Sequence, residues 1–511
     1  MLYENILLKP LKELADKNPT KPVLKTGNNC LTAKALFNKS KTVAFNLSKK
    51  GLREGDVVLL AVFPGEEFLI IFYALLILQA KIAIIDSEMG EENYRSKMKQ
   101  LEPKWLFTDS RLLLINKFPK LRLIASIVKK NLPKLYLRAD IKIISTGIVI
   151  PFFSAGSKLK ELFSSNEENI ELFTNDSEYE NIIIYTSGTL GTPKGVVHTN
   201  NSLHTTLQSL ENIFANDKDV VLATYLPHFI LLGIACNFCV KIINPNLKAE
   251  PKLGWFKREN ITVYFGAPYD YLPLIKFCEK NKRLFPSCLQ HLVVGSAPAH
   301  KNFLKRLINV LPDHIKITCT YGMTEHLITA LADGRKKVSY EGDGDLLGII
   351  AKDVEIKLAG DGEIYIKSNQ LFKRYLHQKS GELMHASGDL GHLDIHGNLV
   401  LQGRKKDMII RRNFNIYPSL YEDTIRKIPR ITEAVFIGIY DEVKFDETVY
   451  LIVETEIKNT GEIRKQLRHG IYSIDAEALP DIILKMQMAR LGRHHKIDKL
   501  KIATMIKNNL L

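Results

Sequence analysis

Strand-like and helix-like stretches alternate through the first part of the chain. The stretches Asp56 to Phe63 and Lys81 to Asp86 are rich in Val, Leu and Ile and have the length of buried strands, and Glu66 to Ala80 between them has the length of a helix. This succession predicts a parallel sheet covered by helices. The alternation returns from Val220 to Ala330, where strand-like runs end in turns of small residues. Ligands gather at such strand ends in open α/β sheets.

The C-terminal part has a different pattern. AVFIGIYDE from Ala434 and TVYLIVETE from Thr448 are typical of strands, and GEIRKQLRHGIYS from Gly461 is typical of a helix. Together they predict a small α+β unit. Because a chain of 511 residues exceeds what one hydrophobic core usually organises, we expect at least two domains.

The charge balance narrows the range of ligands. The 71 basic residues outnumber the 56 acidic ones and give a net charge of +15, which favours anionic ligands or membrane headgroups. No zinc-finger spacing or RNA-recognition signature accompanies this charge, so nucleic acid is not predicted as a partner. The stretch 111–139 concentrates Lys and Arg among apolar residues without any acid, and we hypothesise peripheral membrane contact there. The alternative is a solvated basic excursion that covers one side of the sheet.

Cysteine usage and the N-terminus bear on the location of the protein. Six cysteines are spread along the chain without the spacings of a disulfide framework, which favours free thiols in a reducing cytoplasm. Cys236 and Cys239 lie in an apolar run, which favours core packing over redox or metal chemistry. The N-terminus lacks the apolar core of a signal peptide, and the uncharged run Phe68 to Ala80 falls short of the roughly 18 residues of a spanning helix. We therefore predict a cytoplasmic protein.

One stretch, Ile182 to His198, has the composition of a phosphate-binding site. Its sequence is IIIYTSGTLGTPKGVVH, in which a short strand ends at Tyr185 and is followed by hydroxyl residues and glycines. Hydroxyls and backbone N–H groups can converge on one anion there, and a lysine adds positive charge. Pro193 and the glycine order exclude the Walker A pattern, so we predict a phosphate loop of another kind. The alternative is an ordinary surface loop. The predicted phosphate-binding residues are Thr186, Ser187, Gly188, Thr189 and Lys194.

The segment YTSGTLGTPKGVV resembles the phosphate-loop signature of the adenylate-forming superfamily, which includes acyl-CoA synthetases, luciferases and the adenylation domains of peptide synthetases. The resemblance implies an α/β fold with a large N-terminal domain of layered β-sheets flanked by helices, residues 1–402, plus a small mobile α+β C-terminal domain, residues 403–511. The segment GRKKD looks like the superfamily's hinge, with Lys406 as its pivot. Asn413 stands where the superfamily has glycine, and asparagine tolerates the same left-handed backbone.

Two further motifs resemble the nucleotide site of this superfamily. The motif TYGMTE follows a strand-like run and implies adenine stacking by Tyr321 and magnesium binding by Glu325. Magnesium prefers one or two carboxylates together with phosphate oxygens. Asp389 resembles the ribose-binding aspartate, whose carboxylate can accept from both ribose hydroxyls, although Asp is also common in ordinary turns. The resemblance assigns ATP and Mg²⁺ to these further residues: Gly295, Ser296, Ala297, Pro298, Tyr321, Gly322, Thr324, Glu325, Asp389 and Arg404.

A segment near the C-terminus resembles the region that carries the superfamily's adenylation lysine. The segment LGRHHKIDK resembles the superfamily's G-K-I-D-R region, and Lys496 is the best match. The distance from Leu479-Pro480 is longer than usual, so Lys499 and Lys501 are rivals, and a merely basic tail is the remaining alternative. A lysine here would neutralise charge between the acid and the α-phosphate, an effect typically worth on the order of 3 to 4 kcal/mol. The predicted catalytic residues are Lys496, Thr186, Lys194 and Glu325.

The resemblance implies an ATP-dependent ligase that activates a carboxylic acid as acyl-AMP, releases pyrophosphate and passes the acyl group to a thiol of coenzyme A (CoA) or of a carrier protein. The apolar run Phe229 to Cys239 suits a fatty acyl pocket. Ile230 stands where acyl-CoA synthetases often have a histidine or an aromatic residue that gates the thiol route, with His228 two positions away.

Two alternatives stay open. The terminal RHHKIDKLK is similar to olefin-pathway β-lactone synthetases, which act on a 3-hydroxy fatty acid through acyl-AMP without CoA. A non-catalytic nucleotide-binding or carrier-protein interaction module is the second alternative.

Overall fold

A computed structural model describes most of the chain. It covers residues 2–27, 29–85, 91–118, 140–148, 156–164, 174–185, 194–214, 217, 219–379, 383–411, 414–416, 418–441, 446–469, 472–475, 478–491 and 496–508.

The described strands, in chain order, are β1 Leu2–Glu4, β2 Pro22–Thr26, β3 Asn29–Thr32, β4 Val57–Ala61, β5 Lys81–Ile84, β6 Trp105–Asp109, β7 Lys142–Thr146, β8 Ser157–Lys158, β9 Thr174–Asp176, β10 Glu180–Tyr185, β11 Gly195–Thr199, β12 Val221–Thr224, β13 Cys239–Ile242, β14 Val263–Gly266, β15 His291–Val294, β16 Lys316–Met323, β17 His326–Asp333, β18 Asp345–Ile350, β19 Glu355–Leu358, β20 Glu363–Lys367, β21 Arg374–Tyr375, β22 His385–Leu393, β23 Leu399–Arg404, β24 Ile409–Arg411, β25 Phe414–Ile416, β26 Ile431–Asp441, β27 Asp446–Thr455, β28 Ile482–Lys485, β29 Arg490–Leu491 and β30 Lys496–Ile497.

The described α-helices are α1 Leu8–Lys17, α2 Ala33–Lys49, α3 Glu66–Ile77, α4 Glu91–Leu101, α5 Ser110–Lys117, α6 Asn200–Ile213, α7 Pro227–Ala235, α8 Ala249–Arg258, α9 Pro268–Asn281, α10 Lys301–Asn309, α11 Gly334–Ser339, α12 Pro418–Arg426, α13 Thr460–Arg468 and α14 Lys499–Lys507. Leu159–Phe163 and Lys405–Asp407 form 3₁₀ turns.

Two large sheets organise the N-terminal part of the described chain. One has the strand order β21-β11-β10-β5-β4-β6-β7-β8, and the other runs β19-β20-β22-β23-β18-β17-β16-β15-β14-β12-β13-β2-β3. In the first sheet β4 and β5 pair in parallel, which confirms the parallel pairing predicted for residues 56–86, although the strands are a little shorter than predicted. In the second sheet β12 to β16 are parallel, and β17 then turns back on β16.

Helix α3 explains the apolar run that begins at Phe68. Every residue from Phe68 to Ile77 is buried, and these residues belong to a hydrophobic core that also contains Val58 of the first sheet and Leu222 of the second. A helix that is apolar all round must be buried on all sides. The two sheets and the helix therefore share one core, and the N-terminal domain has the predicted layered α/β architecture.

The C-terminal domain has cores of its own. Strands β26, β27 and β28 form a sheet, and α12 and α13 pack with it around Phe436 and Leu451 on one face. On the other face, α14 contributes Ile502 to a second cluster with Val435. The predicted strands in 434–456 are confirmed, whereas the helix predicted over 461–473 ends at Arg468. The C-terminal domain is thus a small α+β unit.

The segment at the predicted hinge is a 3₁₀ turn between β23 and β24. Lys405 is anchored to the N-terminal domain by Asp361 at 2.7 Å and Glu363 at 2.6 Å, while Lys406 next to it is exposed. The boundary between 402 and 403, the mobility of the C-terminal domain and the pivot at Lys406 stay predictions. Asn413 lies outside the described residues.

Three other predictions from the sequence concern the basic stretch, membrane-spanning helices and two of the cysteines. Residues 119–139 lie outside the described chain, so membrane contact through 111–139 stays a prediction. Within the described helices, none combines the length and apolar character needed to cross a bilayer. Cys236 is buried in the main core, and Cys239 is half-buried at the start of β13.

We predict that residues 403–511 fold as an isolated fragment, because Phe436 and its neighbours form a core without side chains from the N-terminal domain. The fragment should show a cooperative thermal transition by circular dichroism. Phe436→Ala should lower its free energy of unfolding by about 3 to 5 kcal/mol, because the ring is only 1% exposed. Tyr440→Ala on the same strand, 56% exposed, should change the free energy of unfolding by less than about 0.5 kcal/mol. A fragment without a cooperative transition would contradict the predicted boundary.

Candidate active site

The phosphate loop connects two neighbouring antiparallel strands. β10 ends at Tyr185, which pairs with Gly195 at the start of β11. Thr186, Ser187, Gly188 and Thr189 lie outside the described residues. Lys194, the last residue before β11, is exposed.

Glu325 and Lys194 meet at the side chain of Tyr375. The Tyr375 hydroxyl donates to Glu325 Oε1 at 2.9 Å, and Lys194 Nζ lies 4.5 Å from the centre of the Tyr375 ring. Burial and the charge of Glu325 raise the pKa of Tyr375, so the hydroxyl keeps its proton and acts as the donor. The predicted phosphate-binding lysine and magnesium-binding carboxylate are therefore brought together, although they are far apart in sequence.

The TYGMTE motif occupies the end of a strand and the turn that follows it. Thr320 to Met323 belong to β16 rather than to a turn after it, whereas Thr324 and Glu325 connect β16 to β17. A β-carbon at Gly322 would overlap the Leu327 carbonyl oxygen, so the hairpin itself requires glycine there. The turn is fixed from outside by His198, whose Nε2 lies 2.9 Å from the Thr324 carbonyl oxygen. Burial lowers the pKa of His198, which favours a neutral ring that donates to this carbonyl.

Asp389 connects the second nucleotide motif to the hinge region. Its Oδ2 accepts from the Tyr321 hydroxyl at 2.6 Å, and its Oδ1 lies 2.9 Å from Arg404 Nε on the neighbouring strand β23. Burial raises the pKa of Asp389, although Arg404 and Tyr321 act in the opposite direction. Among the described groups, none donates a well-directed hydrogen bond to Oδ1. Asp389 is only 2% exposed, and both of its carboxylate oxygens lie within 2.9 Å of a protein donor atom, so the carboxylate is held in one orientation beside Tyr321 and Arg404.

The 295–298 segment follows β15 at the same end of the second sheet. Gly295 is buried, and a β-carbon there would overlap the Thr320 hydroxyl, so glycine allows close packing against β16. Ser296 is exposed and has a left-handed backbone with φ of 64°. Ala297 is half-buried and Pro298 is exposed. The segment therefore presents its chain next to the strand that carries Tyr321.

The three candidate lysines have different surroundings. Lys496 in β30 is exposed, but desolvation by surrounding protein lowers the pKa of its ammonium, Arg404 adds to this lowering, and Asp389 opposes it. Lys499 is held by Asp407 at 3.1 Å and Glu422 at 3.3 Å. Burial works against its charge, but the two carboxylates outweigh burial and raise the pKa of Lys499. Lys501 is exposed on α14. Lys496 is thus electrostatically coupled to the candidate ribose site, whereas Lys499 is already paired.

The residues predicted for the acyl pocket lie beside this site. Ile230 is fully buried in the main core, and the Phe229 ring stacks on Phe265 with 3.5 Å between centroids. A β-carbon at Gly295 would lie 3.3 Å from the Phe265 ring, so the aromatic pair borders the 295–298 segment.

Sequence reasoning missed Tyr375 and the structural role of His198. Tyr375 lies in a two-residue strand, and no spacing or composition in the sequence marks it. His198 is the last residue of the stretch Ile182 to His198, and its position directly after the phosphate-loop signature was the available signal.

The arrangement fits ATP and magnesium. A carboxylate has about four lone-pair positions, so Glu325 retains capacity for a cation after it accepts from Tyr375. Asp389 contributes a carboxylate beside Tyr321, and Lys194 and Arg404 provide positive charge for phosphate. Magnesium requires few protein carboxylates when phosphate oxygens complete its shell.

Comparisons with known proteins identify the family. The family described as AMP-binding enzyme matches residues 11–376, more than half of the chain. The uncharacterized acyl-CoA ligase YtcI of Bacillus subtilis is 28% identical over 349 residues, which cover 62% of this chain and 64% of that protein. The long-chain-fatty-acid-CoA ligase FadD13 of Mycobacterium tuberculosis is 26% identical over 451 residues, which cover 84% of this chain and 83% of that protein.

A solved structure shares the fold across both domains. The O-succinylbenzoate coenzyme A synthetase MenE from Bacillus subtilis, in complex with ATP and magnesium ion, matches with a TM-score of 0.78. The match has 19% sequence identity and covers 98% of this chain and 99% of that chain. At this identity the likeness concerns the fold alone.

We predict that Asp389→Asn weakens ATP binding without unfolding the protein. The pKa of Asp389 is raised, so above that pKa the ionised side chain is less favourable in the folded protein than in the unfolded chain, and a neutral amide removes this cost. ATP affinity should fall roughly 10- to 100-fold, the scale of hydrogen bonds to a charged group. Calorimetric titration with ATP and thermal melting without ATP would measure the two effects.

The matched control for Asp389→Asn is Asp394→Asn, in the turn between β22 and β23. Asp394 accepts from the backbone N–H groups of His396 and Asn398 at 2.9 and 2.8 Å, so this change should lower the melting temperature and leave ATP affinity unchanged. Equal ATP affinity in Asp389→Asn and the unmodified protein would contradict the ribose assignment.

Proposed function

Since this chain belongs to the AMP-binding enzyme family, we propose that it is an AMP-forming acid-thiol ligase that activates a carboxylic acid with ATP and magnesium. The observation that carries the proposal is the meeting of Glu325 and Lys194 at Tyr375, because it places a carboxylate for magnesium next to a positive charge for phosphate. Lys496 adds a second positive charge, within electrostatic reach of Asp389 and Arg404. Positive charge of this kind favours the meeting of a carboxylate with a triphosphate.

In the first step of the proposed reaction, an oxygen of the acid attacks the α-phosphorus of ATP. A new P–O bond forms, the bond to the bridging oxygen breaks, and pyrophosphate leaves. Lys194 and the hydroxyl-rich loop 186–189 hold the departing phosphates, while Lys496 offsets the repulsion between the acid and the α-phosphate. Magnesium, when bound through Glu325, adds charge neutralisation at the phosphates.

The nucleoside part of ATP is oriented by residues on β16, β22 and β23. Asp389 accepts from the ribose hydroxyls, Arg404 contacts ribose and phosphate, and Tyr321 gives an aromatic face to adenine. The Tyr321 hydroxyl is already bound to Asp389, so the ring and the carboxylate are oriented as one unit. Such preorganisation lowers the entropic cost of aligning ATP with the acid.

In the second step of the proposed reaction, a thiol takes the acyl group and AMP leaves. CoA is the thiol that we favour, because the relatives YtcI and FadD13 are named as CoA ligases, and FadD13 in addition as acting on long-chain fatty acids. A fatty acid suits the apolar helix α7 and the Phe229 and Phe265 pair.

One observation keeps the β-lactone alternative in view. The position where acyl-CoA synthetases often have a histidine or an aromatic residue holds Ile230, which is buried in the core. A 3-hydroxy fatty acid could displace AMP with its own hydroxyl and would require no thiol.

The substrate prediction is tested by pyrophosphate release from ATP across short, medium-chain, long-chain, 3-hydroxy and aryl acids, with and without CoA. We expect a long-chain acid to release pyrophosphate and, with CoA present, to give AMP and acyl-CoA, identified by mass spectrometry. Glu325→Gln serves as the inactive control. Turnover of 3-hydroxy acids alone, indifferent to CoA, would replace the thiol step by lactone formation, and no pyrophosphate from any acid would overturn the ligase proposal.

The adenylation lysine is tested with three variants. Lys496→Ala should slow pyrophosphate release by about 10²- to 10³-fold, the scale of losing one electrostatic stabiliser of the transition state. Lys499→Ala should instead lower the melting temperature, because it leaves Asp407 and Glu422 without their shared cation. Lys501→Ala, an exposed lysine on the same helix, is the matched control. A Lys496→Ala protein with normal pyrophosphate release would exclude the assignment.

A further inference from the structure

A short segment ties the Glu325 turn to the strand that follows the phosphate loop. This segment, residues 372–376, is called the strap here. The Phe372 N–H donates to the Glu325 carbonyl oxygen at 2.9 Å, and the Leu376 N–H donates to the Gly195 carbonyl oxygen at 2.7 Å. Between these two bonds, Tyr375 pairs with Val196 in β11. The backbone of the strap therefore fixes Tyr375 between two parts of the candidate site.

The two residues of β21 within the strap have different tasks. Successive side chains of a strand point to opposite faces. Arg374 donates to both carboxylate oxygens of Glu180, at 2.6 and 2.8 Å, and thereby anchors the strap to β10. Tyr375 projects to the other face, where its hydroxyl reaches Glu325 and its ring reaches Lys194. The anchor leaves Tyr375 little freedom to move away from the site.

We propose that Tyr375 is a positioning residue of the magnesium-ATP site, an inference that rests on the function proposed above. Its hydroxyl holds the Glu325 carboxylate in one orientation, so that Oε2, the oxygen not bound to Tyr375, would be available to the cation. Its ring restrains the Lys194 ammonium by a cation-π contact. Tyr375 acts through these two side chains and sets the distance between the cation ligand and the phosphate-binding charge. Groups that orient a metal ligand are commonly as important for metal affinity as the ligand's own geometry.

The hydroxyl is tested by a double-mutant cycle of Tyr375→Phe and Glu325→Gln. The readout is calorimetric binding of an ATP analogue with a methylene bridge between its α- and β-phosphorus atoms, titrated at several magnesium concentrations. Tyr375→Phe should raise the magnesium concentration required for half-maximal binding about tenfold, because Glu325 loses a hydrogen bond to its charged form. In the Glu325→Gln background the same change should have less than a twofold effect, since no carboxylate remains for Tyr375 to orient.

The ring is tested by comparing Tyr375→Leu with Tyr375→Phe. Leucine removes the aromatic face as well as the hydroxyl, so analogue binding should weaken by a further two- to fivefold, about the strength of an exposed cation-π contact. This additional loss should disappear in a Lys194→Met background. Tyr440→Phe, on an exposed tyrosine of the C-terminal domain, controls for the loss of a hydroxyl as such. Thermal melting without ligand identifies any variant that fails to fold.

The outcomes separate this inference from the proposed function. If Glu325→Gln leaves the magnesium requirement unchanged, the proposed role of Glu325 is wrong and the inference falls with it. If Glu325→Gln raises the requirement but Tyr375→Phe does not, the inference alone is overturned. An equal effect of Tyr375→Phe in both backgrounds also overturns it, because Tyr375 would then act independently of Glu325.

Discussion

The ion-paired Glu180 fixes the sheet edge on which the candidate site is built. Its carboxylate binds Arg374 of β21 and Lys81 of β5, at 2.8 and 3.0 Å, while its own strand β10 leads into the phosphate loop. Burial alone would raise the pKa of Glu180, but the hydrogen bonds from Arg374 and Lys81 outweigh burial and lower it. The stabilisation is present above the pKa of the unfolded chain and is lost only as the pH falls through the lowered value. One carboxylate thus links β10, which precedes the predicted phosphate loop, to β21, which carries Tyr375, and to β5.

The candidate site is assembled with charges that a ligand would complete. The pKa of buried Asp389 is raised and the pKa of Lys496 is lowered, because each charge is partly desolvated before ATP arrives. In the proposed complex, a bound nucleotide would supply hydroxyl donors to the aspartate and negative phosphates to the lysine. Glu325, in contrast, already has a donor in Tyr375, which keeps a carboxylate in place near phosphates that would otherwise repel it. The free-energy cost of holding these charges in partly desolvated positions is therefore met before ATP binds, which is the basis of electrostatic preorganisation.

Local pattern was enough to predict the elements but not their assembly. The succession β4, α3 and β5 was predicted, because apolar runs of strand and helix length are a local property of the sequence. The sequence marks α3 as an apolar run, but it does not show that residues of both sheets surround this helix. The candidate site residues were predicted because each lies within a dense local signature. Tyr375 was not, because its task arises from pairing with β11, and a two-residue strand has no periodicity.

The same limit applies to the lysines near the C-terminus. Lys496 and Lys499 are three residues apart and have the same chemistry, so sequence spacing left them as rivals. Their surroundings differ because β30 brings Lys496 towards Arg404, whereas α14 brings Lys499 to Asp407 and Glu422. Only the packing of the C-terminal domain distinguishes Lys499, which is paired, from Lys496, whose charge is coupled to Asp389 and Arg404.

Contacts between the two domains differ in kind from the cores within them. At one of these contacts, His300 Nδ1 lies 2.9 Å from Asp423 Oδ1, and nearby Ser419 donates to the Gln402 carbonyl oxygen. Burial opposes ionisation of Asp423, but His300, Arg426 and Lys427 outweigh it and hold its pKa well below the usual range. Polar contacts of this kind can be exchanged for water at small net cost, whereas separating the buried residues around Phe436 would expose apolar surface. We therefore expect the C-terminal domain to move as a unit between the two proposed steps, with Lys496 withdrawn once acyl-AMP has formed.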